Sequence, residues 1–130
     1  MKTNLIALLV FSATFGFAQT QLEMNQAAGV EFQKADKELN TVYQKIIKEY
    51  SADTLFIKNL RASQRIWIQF RDAEILVKFP ETDPGYYGSI FPVCYSNYKT
   101  ELTQVRITTL KQWIDGVKEG DVCAGSIKVK

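Results

Sequence analysis

The sequence predicts an all-α fold, a small three-helix bundle with room for a short fourth helix. Three observations lead there: apolar residues recur at steps of three and four along three stretches, no stretch of useful length alternates as a strand does, and all three prolines fall in one connector. The chain has 130 residues, 46% hydrophobic, 12% aromatic and 23% charged, which suits a single core and leaves no room for a second domain. It contains no histidine. That absence removes the Ser-His-Asp and Cys-His nucleophile systems and histidine-ligated zinc before any motif is read.

The first eighteen residues read as an export signal. Lys2 supplies a positive start, Leu5 to Ala13 form an apolar run with one serine, and Gly16-Phe17-Ala18 places small residues three and one before Gln19. Cleavage is expected after Ala18, leaving residues 19–130 as one helical domain. A retained anchor needs roughly 20 apolar residues, and this run is shorter. Cleavage there leaves 112 residues and takes away only the charge of Lys2, so 15 basic and 14 acidic residues give a net charge of +1. Such a balance offers no electrostatic case for nucleic acid or an anionic membrane.

The first helix is expected from about Ala28 to Tyr50, where Leu39, Val42, Tyr43, Ile46, Ile47 and Tyr50 form an apolar stripe among charged neighbours. Ser51-Ala52-Asp53 then offers a cap, and the second helix runs to about Phe79, before Pro80. Its core side carries Leu55 or Phe56, then Leu60, Trp67, Phe70 and Ile75. The third helix spans about Val93 to Val117, with Tyr98, Leu102, Val105, Thr109, Leu110, Trp113, Ile114 and Val117 at helical spacing and Gly116 weakening its end.

Between the second and third helices, Pro80 to Pro92 is an obligate loop, since proline removes backbone donors and glycine permits positive φ. Tyr86, Tyr87, Ile90 and Phe91 within it argue for docking rather than disorder. Export also bears on the two cysteines. In an oxidising compartment, Cys94 and Cys123 are expected to form one disulfide that tethers the C-terminal tail to the third helix.

Polar residues inside the apolar stripes are the anomaly. Leu60, Gln64, Trp67 and Arg71 step by four, three and four, so Gln64 and Arg71 share a face with Leu60 and Trp67. Arg106 sits in the apolar stripe of the third helix, and Asp36 and Asn40 lie beside the core positions of the first. A buried arginine must be paired and hydrogen-bonded, so Arg71 and Arg106 are expected to reach carboxylates such as Asp36 and Asp72, with Asn40 and Gln64 filling the remaining bonds. Such a network can fix helix register or form a ligand site, and the structural role is the one expected, because networks of this kind commonly specify packing.

At these residues the sequence becomes recognisable. Asp36-Lys-Glu-Leu39-Asn40-Thr-Val-Tyr43, then Leu60-Arg61-Ala62-Ser63-Gln64-Arg65-Ile66-Trp67-Ile68-Gln69-Phe70-Arg71-Asp72-Ala73-Glu74, then Gly88-Ser89 and Leu102-Thr103 with Arg106 and Leu110 resemble the lysozyme inhibitor LprI-like N-terminal domain family. The resemblance runs from roughly Asn25 to Trp113. It implies a small, exported, all-α domain and, for the namesake branch, inhibition of lysozyme. Members often carry a cysteine just after the Phe-Arg-Asp-Ala segment and another before the Leu-Thr pair, where this chain has Ile75 and Tyr98.

Three functions are in play. Inhibition of lysozyme or another cell-wall hydrolase would use a turn offering hydroxyls and backbone donors to an acidic cleft, and Tyr86, Tyr87, Gly88 and Ser89 form the candidate loop. The same tyrosines could instead cover the helix ends. An envelope binding or structural module without lysozyme activity is the second reading. A carboxylate-based enzyme is the third and weakest, because Glu23, Glu31, Glu38, Glu49, Glu74, Glu81, Glu101 and Glu119 are scattered on polar faces. No catalytic residue, cofactor motif or metal-ligand cluster is read from the sequence.

Overall fold

The computed structural model describes residues 3–130, with side-chain environments for residue 16 and from residue 18 onward. Three helices account for the fold: α1 (Thr3–Glu49), α2 (Thr54–Lys78) and α3 (Phe91–Asp115). Neither a β-strand nor a fourth helix occurs among the described residues. Residues 1 and 2 and the side chains of residues 3–15 and 17, on which most of the export pattern falls, lie outside the described residues. Among the described residues no helix is long and apolar enough to cross a membrane.

The buried face of α1 begins at Ala28 and continues through Ala35, Leu39, Val42, Ile46 and Tyr50, at helical spacing. The α1 and α3 backbones run close together, and the small buried side chains Ala35 and Thr103 suit that approach. Leu39, Val42, Ile46, Tyr50, Leu60, Ile107 and Leu110 form the shared core, flanked by Phe56, Trp67 and Trp113. Asp53 caps α2, its carboxylate accepting the Phe56 N–H at 2.9 Å. α3 starts two residues earlier than expected, with Pro92 in its first turn, where the missing N–H costs no helical bond.

Two faces are rotated relative to the expectation. On α2 the buried residues are Leu60, Gln64, Arg71 and Ile75, so Phe70 is 54% exposed and Leu55 also points outward. On α3 Thr103 and Ile107 are buried and Val105 is exposed. In both cases a polar side chain, Arg71 or Thr103, takes a place on the buried stripe and the expected apolar residue faces outward.

The expected disulfide is absent. Cys94 and Cys123 are free, exposed thiols. Cys94 sits in the first turn of α3, whose ends lie roughly 30 Å apart at about 1.5 Å per residue, and the tail that carries Cys123 docks at the far end, with Ser126 on Trp113. Bridging requires Cα atoms within about 7 Å.

The tail is held by hydrogen bonds instead. Val117 pairs with Val129 in a single parallel bridge: the Val117 N–H donates to Lys128 O at 3.0 Å and the Lys130 N–H to Val117 O at 2.9 Å. The buried Tyr50 hydroxyl donates to Trp113 O at 3.0 Å and accepts the Lys128 N–H at 3.2 Å, joining the end of α1, the end of α3 and the tail. Trp113 Nε1 donates to Ser126 Oγ at 2.9 Å.

Two outcomes check this account. Replacing both cysteines by serine should leave the melting temperature unchanged in oxidising and reducing buffer, and the native protein should titrate two thiols. Gly116, at φ +77°, ends α3 where the tail docks, and a Cβ added there would lie only 2.7 Å from Lys128 O. Gly116→Ala should therefore lower stability in urea unfolding by about 1–3 kcal/mol.

Candidate functional site

Two features of α2 concern function: the arginines gathered at its inner face and the turn that follows its C-terminus. Arg71 is 7% exposed. Its Nη1 lies 3.6 Å from Asp36 Oδ1 on α1, and its Nε donates to Asp72 Oδ1 at 3.0 Å. Its guanidinium also lies over the rings of Trp67, at 5.3 Å, and Phe32, at 5.7 Å. Arg71 is thus neutralised by two carboxylates and enclosed by aromatic faces, which offsets the cost of removing its charge from water.

Arg106, which reaches that face from α3, differs from the expectation. Its Nε donates to Gln64 Oε1 at 3.0 Å and its Nη2 to Ser63 Oγ at 3.1 Å, and among the described residues no carboxylate pairs with it. Burial lowers its pKa from the ordinary arginine value, because desolvation disfavours the charged form. Its guanidinium lies 5.8 Å from the Trp67 ring, so that indole contacts both arginines. Asp36, Asn40, Gln64 and Arg71 line a groove of about 410 Å³ between α1 and α2, beside the exposed Arg61 and Arg65. Among the described residues no three cysteine, aspartate or glutamate side chains converge to hold a metal ion.

The turn after α2 is built from its own backbone bonds. The Tyr86 N–H donates to Asp83 O, the Gly88 N–H to Gly85 O at 2.9 Å and the Phe91 N–H to Gly88 O. Gly85 and Gly88 have φ of +83° and +75°, a region that side chains rarely enter. Beneath the turn lies an aromatic cluster. Phe79, the C-cap of α2, packs edge-on against Tyr87, Phe91 and Tyr98, and Tyr87 stacks on Phe91 at 5.1 Å.

The two tyrosines consequently play different parts. Tyr87 is turned inward, and its hydroxyl accepts the Glu81 N–H at 3.0 Å. Tyr86 is 63% exposed, with its ring edge against Tyr87 at 4.9 Å. Ser89 is also exposed, and no side chain caps α3 at this end. Gly88 supplies the bend between them. In the sequence Tyr86 and Tyr87 read as equivalents; the hydrophobic positions Phe79 and Phe91, which select the inward one, are each one helix end away.

The fold and these surfaces define a small helical protein that holds a rigid aromatic turn at one end. Residues 16–110 match the family model described as "Lysozyme inhibitor LprI", and the chain belongs to that family. Among curated proteins it is similar to an uncharacterized protein of Rhizobium meliloti (strain 1021), 27% identical over 112 residues and covering 78% of each chain. No solved structure matches it.

Unfolding measurements can separate the buried arginine from an exposed one on the same helix. Arg71→Ala should cost about 2–4 kcal/mol, because it leaves a packed hole and strands its aromatic neighbours, whereas Arg61→Ala should stay within about 0.5 kcal/mol.

Proposed function

We propose that this chain is an exported, non-enzymatic inhibitor of lysozyme or a related cell-wall hydrolase, acting through the turn at Tyr86–Ser89. The family supports the class of target. The pattern of residues 1–18 supports export, with the mature domain beginning near Gln19. The observation that carries the choice of site is the pre-ordered turn, whose backbone bonds and aromatic base hold Tyr86 outward.

A glycosidase cleft is lined by carboxylates that flank the scissile bond. The Tyr86 and Ser89 hydroxyls and the peptide N–H groups of the turn are donors suited to such a surface, and the Tyr86 ring adds apolar area. Because the turn is already ordered, little conformational entropy is lost when it docks. Aromatic anchors of this kind commonly dominate the energy of an interface. In this reading Tyr87 and Gly88 shape the turn and Tyr86 and Ser89 touch the target. Arg71 with Asp36 and Asp72, and Arg106 with Gln64, hold α2 in register, and Asn40 lines their groove.

The test is inhibition of several lysozyme types by the purified protein. Tyr86→Ala should weaken inhibition by roughly tenfold or more without changing the melting temperature, as expected of a central aromatic anchor. Tyr87→Ala should instead lower the melting temperature. Failure of the parent protein to inhibit any type would sink the reading in favour of a general envelope-binding module. Inhibition untouched by Tyr86→Ala would keep the function and reject the turn.

A further inference from the structure

The opposite end of α2 carries a cleft of about 420 Å³, set between the start of α2, the second half of α3 and the tail. Phe56, Leu60, Leu110 and Trp113 make its apolar walls, and Arg106 and Ser63 form its polar end. That volume falls in the range of small-molecule sites, which typically combine apolar walls with a few placed polar groups. Trp113 and Ser126, which line it, lie beyond the residues matched by the family model.

Arg106 is the unusual member. Arg71, on the same bundle, has two carboxylates; Arg106 has an amide and a hydroxyl. A guanidinium carries five N–H donors, and the bonds to Gln64 and Ser63 engage two of them. Arg106 Nη1 has no partner, and among the described residues no fully buried side-chain nitrogen or oxygen lacks one, so Nη1 is not sealed into packed protein. The acidic residue lining the cleft, Asp53, caps α2 and accepts the Phe56 N–H. It is ten residues from Ser63 along the helix, about 15 Å at the helical rise. A half-desolvated cation held in fixed orientation at one end of an apolar cleft is matched by an anion attached to an apolar body.

We infer that this cleft binds a small organic carboxylate with an aromatic or branched apolar body, its carboxylate on Arg106 and its body along Phe56, Leu60, Leu110 and Trp113. Gln64 and Ser63 orient the guanidinium so that its outer edge faces the ligand. The guanidinium also lies over the Trp67 ring at 5.8 Å. The cleft and the Tyr86 turn lie at opposite ends of α2, so this site is independent of the proposed inhibitory one.

The test uses 4-phenylbutanoate and its uncharged counterpart 4-phenyl-1-butanol as probes in calorimetric titrations of the full chain at neutral pH. The acid should bind saturably with a Kd below about 1 mM, and the alcohol at least tenfold more weakly, a ratio equal to about 1.4 kcal/mol. Arg106→Gln should bring the acid down to the level of the alcohol. Asn59→Trp, which fills the cleft without altering the cation, should remove binding of both and leave lysozyme inhibition as it was. If Arg106→Gln fails to fold, the acid-to-alcohol ratio and Asn59→Trp still decide. Equal affinity for acid and alcohol, acid binding that survives Arg106→Gln or Asn59→Trp, or no saturable binding overturns the inference.

Discussion

A guanidinium taken out of water has to be met by acceptors, and the placement of α2 rests on meeting two of them. α1 and α3 pack closely through small and branched side chains, but α2 stands further off and reaches them through long ones. Arg71 crosses to Asp36 on α1, Arg106 crosses from α3 to Gln64 and Ser63, and both cations lie against Trp67. These bonds fix the rotation of α2 about its own axis. The outward position of Phe70 and the groove beside Asn40 are consequences of that rotation.

Most of the architecture is legible in the sequence, and the exceptions have a common cause. The stripe from Leu39 to Tyr50, the Asp53 cap and the proline-rich connector all follow from local pattern, and each is present in the structure. Phe70 and Val105 are expected inside because apolar periodicity treats hydrophobic residues as the centre of a buried face. Here Gln64, Arg71 and Thr103 occupy that centre, which only a view of their partners on other helices can reveal. The disulfide expectation has a similar weakness. Two cysteines in a chain expected to be exported suggest a bond, but the length of α3 and the docking of the tail at its far end keep them apart.

The turn at residues 85–89 is legible as a loop and not as a geometry. Two adjacent tyrosines look alike in sequence, yet one supports the turn from below while the other projects from it. The distinction is made by Phe79 and Phe91, which close over Tyr87 from the ends of two different helices. The cleft at the other end of α2 is not legible at all, since its walls come from α2, α3 and the tail. The two ends of one helix thus carry surfaces of different chemistry, one convex and hydroxyl-rich, the other concave with a single cation.

The hydroxyl of Tyr50 joins parts of the chain that lie far apart in sequence. Its two bonds reach residues 63 and 78 positions further along the chain, so neither can form until α3 has returned alongside α1. The bond from Trp113 to Ser126 spans only 13 residues and ties the tail to α3 directly, where it forms one wall of the cleft. The tail, held to the bundle by few hydrogen bonds, is the segment expected to exchange its amide protons early when the native state opens locally.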